Sequence, residues 1–218
     1  MSIFIGIDPG LKESHAVVLQ GAPAGGQLKV LATLTVQTPT GPERYTEAGA
    51  WVLDDLAAVQ ADALLIEVAR GAVAAGRDGD HVLNANIVAG ELLGRLNAAG
   101  RPALPVASGS DAAAWNWRDT LGIRGKGAAA RDASIVQAVD VYLGPGALPR
   151  GARGGLIMHW YDAAGIALAG FLRASERPRI GVHAALTSLS PRDLLTLESR
   201  RSRKNARAAG RKGERVWL

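Results

Sequence analysis

The sequence predicts an α/β protein: a mixed five-stranded sheet with its first three strands antiparallel, flanked by helices and followed by a basic C-terminal tail. Three observations predict it. Apolar segments come first and close together, "SIFIGID", "HAVVLQG" and "QLKVLATLTV"; their connections are too short for a crossover helix, so they form an antiparallel meander. The hydrophobic period then becomes helical, and helical stretches alternate with two further apolar runs, the order that packs helices on a partly parallel sheet. From Arg192 to Leu218, nine Lys or Arg stand against three Asp or Glu, a charge of +6, which leaves −1 on the rest of a chain whose total is +5.

Each element has its own signal. "SIFIGID" is rich in Ile and Phe and stops at Asp8, where Pro9 and Gly10 turn the chain. In "GPERYTEAGAWVLDDLAAV", Pro42 stands near a helix start, and Ala48, Trp51, Val52, Leu56 and Val59 recur at helical spacing. "ADALLIEVA" is a continuous apolar run, which suits a strand buried on both faces. "RGAVAAGRDGDH" is Gly-rich and charged and reads as a loop, and "NANIVAGELLGRLNAAG" reads as a helix over 86–99 that ends on Gly100 with Pro102 beyond. "PALPVAS" is the fifth strand. "GSDAAAWNWRDTLGI" and "GAAARDASIVQAVDVYL" read as helices on either side of "RGKG", and "GPGALPRGARGG" reads as a loop. An apolar helix follows from Met158 to Ala174, and a last helix starts at Ser190 as cap, with Pro191 and Asp193 in its first turn. These bounds give one domain over 1–176 and a partly helical basic extension over 177–218.

Composition narrows the function classes. Cysteine is absent, which excludes a disulfide framework and a thiolate metal site and suits a reducing compartment. No apolar stretch approaches the roughly 18 to 20 residues of a membrane span, and no basic flank precedes the first apolar run; a cytoplasmic location with no membrane partner is expected. The tail, with Arg200, Arg201, Arg203 and Lys204 as its densest cluster, attracts polyanions through counterion release without reading sequence. Nucleic acid is the expected partner, a merely solubilising end the alternative.

The carboxylates carry the chemistry. Asp8 closes "FIGI" and Glu67 closes "ALLI", so two neighbouring strands would bring both to one end of the sheet. An acidic group in an apolar strand is hard to explain otherwise, since burying it unpaired costs several kcal/mol. His159 and Asp162, three apart in "HWYDAAGIALAGF", project from one face of a helix. Carboxylates gathered in a partly dry cleft repel until a divalent cation neutralises them. Oxygen-rich ligands with one His suit Mg²⁺, or Mn²⁺ as its substitute, and two such ions can clamp a phosphodiester. Of Trp115 and Trp117, at least one is expected in the core and base stacking is the lesser reading.

"IGIDPG", "LLIE" and "HWYDAAGIALA" resemble, in order, the signature segments of the RuvC family of Holliday-junction resolvases, members of the RNase H-like superfamily. In that family an Asp follows the first strand in a D-P-G turn, a Glu ends the fourth strand, and the last helix carries an Asp-or-His then Asp pair. Asp8, Glu67, His159 and Asp162 match those positions, and the resemblance spans roughly residues 3–174. It implies an RNase H-like fold and a homodimeric, Mg²⁺-dependent crossover junction endodeoxyribonuclease acting on four-way DNA, with two ions per site. Asp8, Glu67, His159 and Asp162 would be the catalytic and metal-binding set, His159 as a ligand or a proton carrier. The segments "WRDTLGI", "RGKG" and "AAARDASIV" resemble the family's basic stretch, which implies phosphate contacts for Arg118, Lys126 and Arg131. The aromatic that often follows the family's catalytic Glu is missing from "VARGAVAAG", and Arg70 is the residue placed to take up part of its role. The loop over 144–155 and the tail look more like divergent phage or organellar members. An RNase H-like nuclease for other branched DNA or for RNA–DNA hybrids, and a junction-binding protein without catalysis, are the alternatives.

Overall fold

The computed structural model describes residues 1–22, 27–38, 43, 54–56, 59–68, 79–101, 103–108, 115–125, 127–177, 179 and 181–188. The apolar, β-branched segments form five strands: β1 (Ser2–Asp8), β2 (Glu13–Gly21), β3 (Lys29–Gln37), β4 (Ala63–Val68) and β5 (Ala103–Ala107), in the order β3-β2-β1-β4-β5. The short Pro9–Lys12 connection makes β1 and β2 antiparallel, registered from Ser2↔Gly21 to Asp8↔His15. β3 pairs antiparallel to β2, with an irregularity between Val18 and Leu19. β4 and β5 add in parallel on the other side of β1. The sheet is therefore the mixed one expected, with its meander at one edge.

Alternation along the strands gives the sheet two apolar faces. Phe4, Val17, Leu19 and Leu65 face the helices α2 (Trp117–Thr120), α3 (Ala128–Leu143), α4 (Met158–Ser175) and α5 (Val182–Thr187). Ile5, Ile7, Ala16, Val18, Leu64 and Ile66 face α1 (Gly79–Ala98) through its Val88, Ala89, Leu92 and Leu96. The α4 face is closely packed: a Cβ on Gly6 would collide with the Ala163 carbonyl oxygen and stand 2.6 Å from the Ala167 amide nitrogen. Glycine at this position lets α4 lie directly on β1.

Several helix bounds differ from the sequence reading. α1 begins at Gly79, inside the segment read as a loop, because Leu83 and Ile87 carry the helical period upstream and override its loop-like composition. Of the helix expected over 109–123, residues 109–114 lie outside the described residues and the rest holds a single turn, Trp117–Thr120: Ala107 bridges to Asn116, whose side chain caps the turn by accepting from the Arg118 amide. The helix expected over 42–59 lies largely outside the described residues, although Leu56 is fully buried. The helix from Ser190 lies wholly outside them. α5 has no counterpart in the sequence reading, yet its Ala185 and Leu186 are buried in the core.

The chain divides into two compact units, Met1–Leu186 and Thr187–Leu218; of the second, Thr187 and Ser188 are described. Among the described residues no helix is long and apolar enough to cross a membrane.

Candidate metal centre

Strand alternation and helix placement meet at one end of the sheet. Asp8 is in phase with Phe4 and Gly6, and Glu67 with Ala63 and Leu65, so both carboxylates stand on the α4 face. The last parallel pair between the two strands is Ile7↔Ile66, and Asp8 and Glu67 come one residue beyond it. α4, held down over Gly6, lays its first turn across this strand end. There His159 Nδ1–H donates to Asp8 Oδ2 at 2.7 Å.

The first turn of α4 is fixed across three strands. Asp8, His15 and Thr35 form one cross-strand row. His159 bonds to Asp8 and stacks on His15, ring centroids 5.1 Å apart and planes 16° from parallel. Trp160 Nε1–H donates to Thr35 Oγ1 at 3.0 Å and sets its ring edge-on to His15. His15 is buried, and burial, with the neighbouring His159 second, lowers its pKa, so it serves as a neutral stacking platform.

Asp8, His159 and Asp162 each offer a ligand atom, all within 4.8 Å of one another. Glu67, 9% exposed, stands beside them. Burial, then the charge of Asp8, pushes the Glu67 carboxyl up to about 8; the same causes in the same order push Asp162 up to about 7. The hydrogen bond to Asp8 raises His159 to about 9. Asp162 Oδ1 is buried with no hydrogen-bond partner, a lone pair left without a donor. Two carboxylates and an imidazole at this spacing, with such an oxygen among them, fit a hard divalent cation.

The cationic residues singled out in the sequence fall in different places. Arg118 faces inward, its Nη2 3.7 Å from Glu67 Oε1 and 3.9 Å from Asp162 Oδ1. Arg131 is exposed on the first turns of α3. Arg70, Lys126, Arg200, Arg201, Arg203 and Lys204 lie outside the described residues. Trp117 is fully buried, and Trp115 is half-buried beneath the Arg173 guanidinium at 5.1 Å. His15 and Thr35 were not among the residues singled out. Their signal is the register: six residues, 9–14, separate Asp8 from His15, and the tight turn among them sets the two opposite each other.

The sheet order and its flanking helices define an RNase H-like fold. No family model and no curated protein matches the chain. Among solved structures, Thermus thermophilus RuvC in complex with a Holliday junction substrate matches with a TM-score of 0.60 and 23% identity, over 81% of this chain and 96% of that one. A second structure of Thermus thermophilus RuvC matches with a TM-score of 0.60 and 23% identity, over 80% of this chain and 96% of that one.

Proposed function

We propose that this protein is a divalent-metal-dependent endonuclease that resolves four-way DNA junctions as a homodimer. The observation that carries the reading is the convergence of Asp8, His159 and Asp162 within 4.8 Å beside buried Glu67, on one strand end of the fold shared with RuvC. The RuvC match in complex with a Holliday junction supplies the substrate class. Asp8, Glu67 and Asp162 would hold the metal, with His159 as a further ligand or proton carrier. Mg²⁺ held by these residues, two ions per site, would supply charge neutralisation at the phosphodiester and water activation.

This chain's own residues do the positioning. The clamp of α4 on Asp8, His15 and Thr35 holds the donor atoms in place before substrate arrives, which is the main source of rate in such a centre. His159, hydrogen-bonded to Asp8 and exposed at the helix start, is the group able to carry a proton to or from solvent. Exposed Arg131 and the basic tail provide salt-sensitive affinity for the DNA backbone. A homodimer suits a nearly two-fold symmetric junction, one site for each of two opposed strands. Leu83 and Ile87 of α1, 56% and 37% exposed, support a pairing face on that helix.

The test is cleavage of end-labelled four-way junctions, replication forks and RNA–DNA hybrids in Mg²⁺. Paired, symmetric nicks in the junction are expected. Cutting of forks or hybrids with the junction left intact would move the substrate, and tight junction binding without any cut would leave a binding protein.

A further inference from the structure

Arg118 is held by its surroundings. Its amide caps onto Asn116 Oδ1 at 2.9 Å, its Nη1 donates to the Ser108 carbonyl at 3.3 Å, and its guanidinium carbon lies 4.9 Å from the Trp117 ring centroid. Trp117 is fully buried against α4, where a Cβ on Gly165 would stand 2.7 Å from its ring. The side chain is 23% exposed, and its Nη2 points between Glu67 and Asp162. At 3.7 and 3.9 Å it is close enough for charge to act and too far for a hydrogen bond. Asp162 Oδ1 is thus left without a hydrogen bond, Glu67 keeps one from the Ser108 side chain, and their repulsion is partly offset. The guanidinium turns its Nη2 to the acidic residues.

We infer that Arg118 is the resident counter-cation of the metal-free centre, holding Glu67 and Asp162 together and opposing the divalent ion for the same two carboxylates. The inference rests on the metal-binding reading of the site. A positive charge within 4 Å of two ligands repels an entering dication strongly in a partly desolvated cleft. Arg118 therefore tunes the site to bind metal weakly until a polyanion draws the guanidinium away or adds compensating charge. It acts through the carboxylates, as a positioning residue.

The experiment is calorimetric titration of the full chain with Mn²⁺ alone, without DNA, for wild type, R118Q and R118K. R118Q is expected to bind Mn²⁺ about tenfold tighter than wild type, and R118K, which keeps the charge, to stay within about threefold of it. R124Q removes an exposed arginine paired with Asp119 at 3.5 Å and should leave the affinity unchanged. Equal or weaker binding by R118Q overturns the inference while leaving the metal site standing, as does an equal gain in R124Q. Absence of Mn²⁺ binding in wild type and R118Q alike overturns both the inference and the metal reading. If R118Q unfolds in chelator, Mn²⁺ must restore its melting temperature to the wild-type value; failure to do so also overturns it.

Discussion

On one face of the sheet α4 lies against β1 backbone to backbone, with Gly6 beneath Ala163 and Ala167. On the other face α1 rests on a layer of branched side chains, Ile5, Ile7, Val18, Leu64 and Ile66. A helix seated on a layer of side chains can shift by small rotamer changes, whereas one seated on a strand backbone cannot. The face with no room to shift is the one that carries Asp8, Glu67, His159 and Asp162. The glycines of α1, Gly90 and Gly94, are exposed on its solvent side, with nothing within 4 Å of an added Cβ. Tight packing under α4 fixes the carboxylates and His159 at the strand end.

The sharpest way to break this contrast is Gly6→Ala. The added methyl meets backbone atoms on α4, so no side-chain rearrangement can absorb it, and a loss of about 3 kcal/mol is expected by denaturant unfolding. A loss below about 1 kcal/mol would mean that α4 can slide and that the centre is not rigidly held.

The second test concerns charge on the tight face. Glu67 and Asp162 rise from ordinary values of 4.5 and 3.8 to about 8 and about 7. Each keeps in the folded protein a proton that the unfolded chain releases, so stability falls as pH climbs from the unfolded to the folded pKa. His159, raised from 6.5 to about 9, contributes stability that is complete below 6.5 and lost as pH rises through 9. All three act in one direction, and without metal the melting temperature should fall between about pH 5 and pH 9. Divalent cation must displace these protons. Its stabilising effect should therefore be larger at pH 8 than at pH 5.5; a cation effect that does not grow with pH would sink this part of the account.

The smallest effect belongs to the solvent side of α1. Gly90→Ala, at an exposed helical position with open space, should stabilise by about 0.5–1 kcal/mol through helix propensity, read as a raised unfolding midpoint. Destabilisation instead would show that the solvent side of α1 at Gly90 is covered by another part of the protein.

Much of this arrangement was legible in the sequence because it rests on local rules. Two apolar runs ending on Asp8 and Glu67 needed only strand alternation and a neighbour relation to meet, and the spacing of His159 and Asp162 needed only a helix. The meander followed from short connections. What was not legible depended on contacts between distant segments. Nothing local says that Gly6 receives α4, or that Trp160 reaches Thr35 across the meander. Arg118 was marked by its basic segment alone, and only the fold shows that it faces Glu67 and Asp162. The one-turn α2 shows the same limit: Asn116 falls inside the stretch read as a helix, and its bridge to Ala107 makes it the cap instead.

The most direct test of the central claim, that the tight face holds a metal centre for phosphodiester hydrolysis, is cleavage of one end-labelled four-way junction by wild type and Asp8→Asn, in Mg²⁺ and in chelator. Wild type in Mg²⁺ should cut, chelator should stop it, and Asp8→Asn should lower the rate by about a thousandfold while still binding the junction. Cleavage by Asp8→Asn at the wild-type rate, or cleavage that persists in chelator, would contradict the account.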